Sequence, residues 1–568
     1  MLVEPHGGVL KDLYLPVDEA HDARRASGTL PSVVLDNRHL CDLELLLDGA
    51  FSPLEGFMGE ADYRAVVDGM RLADGALWPM PIPLDITEGA AAPLTAGQDV
   101  VLRDVQGTAL AILTVADIYR PDKEREALQV YGTSDRQHPG VADLFRRGDV
   151  YIGGCLRGLQ RPAHHDFTDL RASPREMREL LISSAWDRVV AFQTRNPLHR
   201  AHVELTRRAM AAVDGKLLLH PVVGRTKEGD IDMYTRVRCY RALLAQYPEG
   251  SVKLSVLPLA MRMAGPREAL LHAIIRKNFG AGFFIVGRDH AGPGKDAAGQ
   301  PFYDPLAAQK LVQAHAFELG ITVLPFAPMV YSPSRDAYVG TDELRDGEAV
   351  NDVSGTELRK HLRDGSPIPP WFTYPEVEAI LRQRFPRTEG KGCAIFFTGH
   401  SGAGKSTIAQ ALMAAILEQA GRQVSMLDGD EVRRTLSAGL GFSREDRSAN
   451  ILRIAYVAAE IVRHGGIAIC APIAPYAQDR AAARALVEAH GQFIEVHVST
   501  RLDVCEARDT KGLYAQARAG VLKQFTGISD PYEVPDAPEL RLDGGEGTPA
   551  SLAARIMDIL KQRQLLSG

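Results

Sequence analysis

The spacing of hydrophobic positions changes about 170 residues into the chain. Before that point, short apolar runs are interrupted by Gly, Pro and Asp. The runs at residues 100–103 and 109–115 are separated by the turn sequence Asp-Val-Gln-Gly-Thr, which predicts a β-hairpin. We therefore expect residues 1–170 to form a mostly β domain.

From residue 171 onward, strand patterns alternate with helical patterns. Predicted strands at 188–192, 216–219 and 283–286 are interleaved with predicted helices at 198–213 and 269–279. This alternation is typical of a parallel sheet covered by helices, and it predicts an α/β domain at residues 171–330.

A second α/β domain is predicted at residues 390–568. A compact apolar strand at 393–398 restarts the alternation, and an amphipathic helix near 551–563 ends it. Between the two α/β regions, residues 331–389 predict a small connector domain. The polar, glycine-bearing stretch 387–392 is the expected linker.

The composition is that of an ordinary folded chain, since 45% of the 568 residues are hydrophobic and 24% are charged. The formal charge of −7 provides no overall basic field, so we expect neither a nucleic acid nor a membrane as a partner. The six cysteines form no C-x-x-C pair, which argues against zinc or haem and predicts buried, reduced thiols. Because we find no signal-peptide pattern and no apolar run of membrane-spanning length, the expected location is cytoplasmic.

A glycine-rich motif lies between the strand at 393–398 and the helical run at 407–420. Its sequence at 399–406, Gly-His-Ser-Gly-Ala-Gly-Lys-Ser, has the spacing and the strand-to-helix position of a phosphate-binding loop. Backbone N–H groups can surround phosphates there, Lys405 adds positive charge, and the Ser406 hydroxyl can bind Mg²⁺. The residues expected to contact ATP are Gly399, His400, Ser401, Gly402, Ala403, Gly404, Lys405, Ser406 and Thr407.

Two carboxylates, Asp428 and Asp430, follow the next predicted strand at 423–427. Ligands of α/β sheets bind at the carboxyl ends of strands, so one carboxylate could hold Mg²⁺ while the other accepts a proton from an alcohol. A plain Asp-Gly turn explains the same residues equally well.

The surrounding sequence resembles adenosine 5′-phosphosulfate (APS) kinase over essentially all of residues 392–568. The resemblance rests on Leu-Asp-Gly-Asp-Glu-Val-Arg at 427–433, Gly-Phe-Ser at 441–443 and Phe-Thr-Gly-Ile at 525–528. It implies a P-loop kinase in which Asp430 orients or deprotonates the 3′-hydroxyl of APS and binds Mg²⁺ with Ser406, while Arg508 joins the ATP site. It also implies that two phenylalanines flank the adenine and that basic and amide groups hold the phosphosulfate. The implied APS-binding residues are Asp428, Asp430, Arg433, Phe442, Arg447, Asn450, Lys511 and Phe525.

One position departs from this resemblance. Many APS kinases have Ile-Ser-Pro-Tyr where this chain has Ile-Ala-Pro-Tyr at 473–476. Ala474 has no hydroxyl that can be phosphorylated. We therefore expect phosphate to pass directly from ATP to APS, without a phosphoenzyme.

A second motif, Gln-Thr-Arg-Asn-Pro-Leu-His-Arg-Ala-His at 193–202, follows the predicted strand 188–192. Asn196 suits the N-cap of the next helix and Pro197 its first position. His199 and His202 then share one face of the first turn, where they can meet phosphate oxygens. The same H-x-x-H pair is compatible with a structural role, or with metal binding, for which no third ligand is evident nearby.

The longer sequence resembles ATP sulfurylase over nearly all of residues 1–385. The resemblance also rests on His-Pro-x-x-Gly at 220–224, on the segment 261–279 and on Gly-Arg-Asp-His-Ala-Gly-Pro-Gly at 287–294. It implies a PUA-like β domain followed by a Rossmann-like nucleotidyltransferase domain, with Thr194, Arg195, Asn196, His199 and His202 in catalysis. The implied sulfate site comprises Gln193, Arg195 and Ala291. The implied ATP site comprises Gln193, Thr194, Arg195, Asn196, Leu198, Gly287, Arg288, Asp289, His290 and Val330.

Together, the two resemblances imply a bifunctional enzyme of sulfate activation. Its substrates would be ATP, sulfate and APS, its cofactor Mg²⁺, and its assembly a homo-oligomer. One alternative is an active APS kinase whose sulfurylase-like half is a silent scaffold or a nucleotide sensor. Another alternative, a kinase for a different small alcohol, leaves the pair Phe442 and Phe525 without a purpose.

Overall fold

The hairpin predicted near residue 100 lies in the middle of a six-stranded sheet. The structure is a computed structural model that describes residues 2–227, 230–296, 298–383, 392–420, 422–509 and 512–566. The strands of the first sheet are β1 (Ser32–Val34), β2 (Gly56–Phe57), β3 (Leu84–Ile86), β4 (Asp99–Arg103), β5 (Ala109–Tyr119) and β6 (Val150–Gly158). Strands β4, β5 and β6 pair antiparallel, and β1 pairs parallel with β4. The predicted hairpin is confirmed, but helices contribute more residues than strands before residue 170, so the expectation of a mostly β region is replaced by a mixed α/β region built on one sheet.

Helices cover this sheet and close its core. Their ranges are α1 (Val17–Ala26), α2 (Asn37–Leu47), α3 (Glu60–Gly69), α4 (Glu88–Ala91), α5 (Lys123–Tyr131) and α6 (Pro139–Arg146). In α2, the side chains of Leu43, Leu45, Leu46 and Leu47 are fully buried in the core.

The second sheet has five strands, all parallel, in the order β11-β10-β7-β8-β9. The strands are β7 (Val189–Phe192), β8 (Lys216–Leu219), β9 (Val252–Leu254), β10 (Phe283–Val286) and β11 (Thr322–Pro325). The helices are α7 (Pro174–Ser183), α8 (Arg200–Ala212), α9 (Met233–Leu243), α10 (Pro266–Asn278) and α11 (Ala307–Leu319). Every residue of β7 is buried, as expected for a central parallel strand that is covered on both faces.

The start of α8 corrects one expectation. The N-cap is His199, and neither Asn196 nor Pro197 belongs to the helix. His202 Nδ1 accepts the His199 backbone N–H at 3.2 Å, which satisfies a donor at the helix start. Side chains of α9 hold the preceding loop, because Tyr240 donates to the Asn196 carbonyl at 2.7 Å and Arg236 donates to the Arg195 carbonyl at 3.0 Å.

The connector region contains an antiparallel hairpin and two helices. The hairpin consists of β12 (Met329–Ser332) and β13 (Ala337–Gly340), and the helices are α12 (Gly355–Asp364) and α13 (Pro375–Gln383). Ser354 and Glu357 form a capping box at the start of α12. The expected linker 387–392 lies outside the described residues, apart from Gly392.

The third sheet is again entirely parallel, in the order β15-β16-β14-β17-β18. Its strands are β14 (Cys393–Thr398), β15 (Val424–Asp428), β16 (Ile467–Ala471), β17 (Gln492–Val498) and β18 (Leu540–Leu542). The helices are α14 (Lys405–Gln419), α15 (Gly429–Arg434), α16 (Arg444–Arg463), α17 (Ala477–Glu488), α18 (Leu502–Arg508), α19 (Leu513–Arg518) and α20 (Pro549–Gln562). The alternation predicted for this part of the chain is confirmed.

The chain forms two compact units. One comprises Met1–Pro162 and Asp169–Glu378, and the other comprises Ala163–Thr168 and Ala379–Gly568. Among the described residues, we find no helix with the length and apolar character that crossing a membrane requires.

All six cysteines are free thiols, but the expectation that all are buried is wrong. Cys155 is exposed on β6 and Cys41 is half-buried on α2.

A buried ion pair links the first sheet region to the second within the first unit. The guanidinium of Arg262 donates to both carboxylate oxygens of Asp42 at 2.8 Å, and the Asp42 side chain has no exposed surface. Arg38 approaches the same carboxylate at 3.5 Å. Removal of one partner from a buried ion pair leaves a charge without compensation.

We predict that Asp42→Ala destabilises the first unit by about 3–5 kcal/mol, because Arg262 would remain buried without its carboxylate. Urea denaturation of the full chain measures the effect, and the transition of the second unit serves as the internal control. Asp42→Asn, which keeps one hydrogen-bond acceptor, should lose less. A loss below about 1 kcal/mol in Asp42→Ala would show that the pair is not a structural link.

Candidate active sites

The first candidate site is a cavity of about 420 Å³ at the carboxyl end of the second sheet. This volume lies within the range of small-molecule sites. Five of the predicted residues line the cavity, namely Asn196, His199, His202, Gly287 and Arg288. Further lining comes from α12, including Arg359, and from the start of β12, including Met329.

The two histidines are held in different ways. His199 is buried, its Nδ1 lies 2.9 Å from the Thr373 hydroxyl, and its ring lies 4.4 Å from that of Phe372. His202 Nδ1 is occupied as an acceptor by the His199 N–H. Burial lowers the pKa of His199 to about 3 and that of His202 to about 4, so both rings are neutral at pH 7. A neutral His202 therefore carries its proton on Nε2 and can donate it to a ligand.

Arg195 contacts the segment that carries Ala291, another residue of the expected sulfate site. Its Nη2 donates at 3.0 Å to the carbonyl of Gly292, the residue after Ala291. Its Nη1 lies 3.0 Å from the sulfur of Met263 and 3.4 Å from the Asp230 carboxylate. Gln193 is buried, and its amide oxygen has no hydrogen-bond partner among the described residues.

The remaining expected ATP residues are distributed around this centre. Thr194 bonds within the loop, since its hydroxyl lies 3.0 Å from the Asn196 carbonyl. Leu198 is fully buried in the core, and Val330 follows the cavity-lining Met329 on β12. Asp289 takes a left-handed backbone conformation with φ +53°, and His290 Nε2 lies 3.0 Å from His272 Nδ1.

The second candidate site is the turn from β14 into α14. Gly402 and Gly404 have φ of +73° and +101°, a conformation that side chains disfavour, and it lets the loop curl in front of the helix N-terminus. Lys405 begins the helix, and its Nζ donates to the carbonyls of Gly399 and His400 at 2.9 and 2.6 Å. Arg508 donates to the Gly402 carbonyl at 3.3 Å.

Ser406 lies beside a carboxylate from the next strand. Its hydroxyl donates to Asp428 Oδ2 at 2.6 Å, while Asp428 Oδ1 accepts the Asp430 backbone N–H at 2.9 Å. Asp428 thus both contacts the phosphate-binding loop and caps α15. The sequence could not tell which of the two aspartates contacts Ser406.

The expected APS residues are arranged around α16. The Arg433 guanidinium lies 4.5 Å from the centre of the exposed Phe442 ring. Arg447 donates to the Phe442 carbonyl at 2.8 Å and also bonds the Gln524 carbonyl and the Thr526 hydroxyl, so it joins the segments that carry the two phenylalanines.

Asn450 lies one turn after Arg447 on the same helix. It is buried, and its Oδ1 has no hydrogen-bond partner among the described residues. Phe525 packs edge-on against Tyr514, whose hydroxyl donates to the Ser401 carbonyl at 2.8 Å. Lys511 lies outside the described residues.

Sequence reasoning missed Thr373 and the structural part played by Tyr514. Thr373 contacts His199 from 174 positions away, and only its place directly after the Trp-Phe pair at 371–372 could have suggested it. Tyr514 belongs to the Lys-Gly-Leu-Tyr sequence at 511–514, which marks the segment but not the contact with the phosphate-binding loop.

Comparisons with known families assign three segments of the chain. Residues 3–161 match the PUA-like domain, residues 168–384 match ATP-sulfurylase, and residues 391–543 match adenylylsulphate kinase. The chain is 52% identical over 569 residues to a sulfate adenylyltransferase of Gibberella zeae, with 99% of each chain covered. The chain belongs to the sulfate adenylyltransferase family. The relative from Yarrowia lipolytica is 51% identical, with 98% of each chain covered.

A solved structure described as the hexameric APS kinase from Thiobacillus denitrificans covers 100% of both chains, with 35% identity and a TM-score of 0.59. As a member of the sulfate adenylyltransferase family with an adenylylsulphate kinase domain, the chain is an enzyme of sulfate activation. Its fold combines a PUA-like domain, a sulfurylase domain and a P-loop kinase domain, as predicted.

The burial of His199 predicts how the stability of the first unit depends on pH. The pKa of His199 is about 3 in the folded chain and about 6.5 in the unfolded chain, so the unfolded state binds the additional proton between these values. We therefore predict that stability falls as the pH is lowered from 6.5 toward 4.

The variant His199→Asn isolates the contribution of this residue. Asparagine does not titrate and is a good N-cap, so the pH dependence of the first unit should become less steep, by up to about 1.4 kcal/mol per pH unit. Urea denaturation at pH 7, 6 and 5 measures the slope. Equal slopes for wild type and variant would contradict the neutral, buried state of His199.

Proposed function

We propose that the chain catalyses both steps of sulfate activation. In the first unit, a sulfate oxygen attacks the α-phosphorus of ATP, the bond between the α- and β-phosphates breaks, and APS and pyrophosphate result. In the second unit, the 3′-hydroxyl of APS attacks the γ-phosphorus of another ATP and gives 3′-phospho-APS (PAPS) and ADP. The observation that carries the proposal is the cavity that gathers Asn196, His199, His202, Gly287 and Arg288 from distant parts of the sequence.

The first reaction needs positioning and positive charge, because sulfate is a weak nucleophile and the α-phosphate is an anion. Arg195 beside Gly292 supports a sulfate site that includes Gln193 and the backbone of Ala291. The Nε2–H of His202 and the ring of His199 donate to phosphate oxygens as negative charge develops on them. Neutral histidines suffice for this task, since one N–H from each ring meets an oxygen.

The second reaction uses the phosphate-binding loop and the aspartates after β15. When ATP binds, the Lys405 ammonium group exchanges its loop carbonyls for the ATP phosphates. Arg508, which also contacts the loop, binds the nucleotide from the same side. Asp430 orients the 3′-hydroxyl and takes its proton as the oxygen bonds to phosphorus. Arg433, Arg447, Asn450, Phe442 and Phe525 enclose APS, with Arg447 acting partly by holding both phenylalanine segments in place.

The residues at Ser406 fit Mg²⁺. A hydroxyl and a carboxylate 2.6 Å apart are oxygen donors of the kind that this ion binds, so we assign it to Ser406 and Asp428. Asp430, which the resemblance also implies as a metal ligand, then acts only on the 3′-hydroxyl group of APS. When bound, the ion neutralises charge on the ATP phosphates.

We also propose that the chain works in the cytoplasm as a homo-oligomer. Six free thiols fit a reducing compartment. The full-length likeness to a protein described as hexameric supports self-association.

We predict that the two activities can be removed separately. Lys405→Ala should abolish PAPS formation and leave sulfate-dependent pyrophosphate release intact. His202→Ala should reduce pyrophosphate release about 100-fold, the typical effect of removing a preorganised donor, while PAPS formation from added APS continues. Both assays are run on the same preparations.

Two results would contradict these assignments. Loss of both activities in folded Lys405→Ala would contradict separate sites, and stoichiometric zinc that disappears in His202→Ala would replace the donor role by metal binding. If wild type releases no pyrophosphate with sulfate but forms PAPS, the first unit is a scaffold or a nucleotide sensor.

We predict direct phosphate transfer in the kinase reaction. Ala474 is buried and has φ +46°, and its carbonyl accepts from Arg480 at 2.8 Å and Thr398 at 3.1 Å. The nearby Thr398 hydroxyl is therefore engaged with backbone. The kinetics should be sequential, and γ-labelled ATP without APS should leave the protein unlabelled.

The variant Ala474→Ser serves as the matched test, since it restores the missing hydroxyl and should change the rate less than about twofold. Stoichiometric label on wild type that is discharged by added APS would show that another residue carries the phosphate.

A further inference from the structure

Every carbonyl group of the phosphate-binding loop from residue 399 to residue 403 accepts a hydrogen bond from a side chain. Lys405 donates to the carbonyls of Gly399 and His400. The other donors come from outside the loop: Ser401 accepts from Tyr514 at 2.8 Å, Gly402 from Arg508 at 3.3 Å, and Ala403 from Thr500 at 2.8 Å. Phosphate oxygens repel carbonyl oxygens, so the loop presents its N–H groups to a phosphate only while its carbonyls point away.

These donors differ in what a bound nucleotide does to them. Lys405 and Arg508 are cations that we expect to bind the nucleotide, so the phosphates draw them away from their carbonyls. The hydroxyl groups of Tyr514 and Thr500 carry no charge that attracts them to an anion. They are therefore the donors that can continue to hold loop carbonyls while ATP is bound.

Thr500 lies between β17 and α18, and its buried hydroxyl has a partner on each side. The oxygen accepts the Gly544 N–H at 2.9 Å, so its single proton is directed to the Ala403 carbonyl. The backbone of Gly544 also lies against that carbonyl, because a Cβ atom at residue 544 would come within 2.2 Å of the Ala403 oxygen. The segment after β18 thus fixes the direction of this carbonyl together with Thr500.

Tyr514 lies in α19, whose start is fixed by Asp509. The Asp509 carboxylate accepts the N–H groups of Tyr514 and Ala515 at 3.0 and 2.9 Å. The Tyr514 side chain is buried, and burial raises the pKa of its hydroxyl above the ordinary value, so the hydroxyl keeps its proton and donates to Ser401. The same ring contacts Phe525 edge-on, with 4.9 Å between the ring centres.

We propose that Thr500 and Tyr514 are positioning residues for ATP in the second unit, because they hold the Ala403 and Ser401 carbonyls away from the bound phosphates. The inference rests on the proposed kinase function. Neither hydroxyl contacts ATP in this role; each acts through the loop backbone. Without its donor, a carbonyl is free to turn toward the phosphates, which weakens the binding of ATP and leaves the binding of APS unchanged.

The first experiment compares Thr500→Val with Thr500→Ser in the full chain, by PAPS formation from added APS. Valine keeps the shape of threonine and removes the donor, so the KM for ATP should rise about tenfold, with kcat and the KM for APS nearly unchanged. Serine keeps the hydroxyl and should restore the KM of the wild type. Equal rises in both variants, or an equal rise in the KM for APS, would overturn the role of Thr500.

The variant Tyr514→Phe applies the same test to the second hydroxyl. Phenylalanine keeps the ring beside Phe525 and removes only the donor to Ser401. The KM for ATP should again rise while that for APS stays the same. A rise confined to the KM for APS would show that Tyr514 acts through Phe525, and would overturn its role at the loop.

The second experiment moves a carbonyl while both hydroxyls stay in place. Gly544→Ala forces the Ala403 carbonyl to shift and should raise the KM for ATP. Gly545→Ala is the matched control, because its Cβ would meet only the Asp543 carboxylate, at 3.2 Å, and it should have the KM of the wild type. Equal KM values for the two variants would contradict the proposal. If Gly544→Ala does not fold, the comparison of Thr500→Val with Thr500→Ser decides the question alone.

Calorimetric titration with ADP separates this inference from the proposed function. Subtraction of the binding heat of the Lys405→Ala chain leaves the signal of the second unit. If the chain forms no PAPS but Thr500→Val weakens ADP binding about tenfold and Thr500→Ser does not, the proposed reaction fails and the positioning role stands. If PAPS formation is normal and all variants bind ADP as the wild type does, the positioning role fails and the reaction stands.

Discussion

A nucleotide with several negative charges must be held where a buried strand turns into a helix, because backbone N–H groups converge there. The chain contains two such turns, after β7 and after β14. The second achieves its curvature with glycines at positive φ. The first lacks glycine, and Tyr240 and Arg236 hold its backbone from α9. The first turn therefore depends on distant side chains, whereas the second is largely determined by its own sequence.

This difference explains what the sequence could predict about the fold. The strands at 216–219, 283–286 and 393–398 are confirmed to the residue, because continuous apolar runs with polar ends leave little choice in a buried parallel sheet. The start of α8 was predicted three residues too early. Asn196 and Pro197 have the local preferences of a helix start, but hydrogen bonds from α9 hold this loop outside the helix, and His202 provides the cap.

The same distinction applies to the sites. Motif residues that are close in sequence, such as His199 and His202, could be predicted because one helix turn brings them together. Contacts such as His199 with Thr373, or Arg195 with Met263, join positions far apart and required the tertiary structure. Spacing alone also could not assign the two aspartates, since both follow the same strand and only the fold places Asp428 beside Ser406.

The proposed first reaction makes a phosphoric–sulfuric anhydride, which is strongly uphill, so a kinase that consumes the product in the same chain draws the reaction forward. A preorganised site is still needed, because rigid donors cost no rearrangement at the moment of reaction. The buried hydrogen bonds from Asp42 through Arg262 to Glu268 provide such rigidity. They begin on α2, in the PUA-like region, and hold the segment 262–264, whose Met263 sulfur lies 3.0 Å from Arg195 Nη1. The PUA-like region thereby acquires a physical role in the proposed chemistry, although it contributes none of the predicted catalytic side chains.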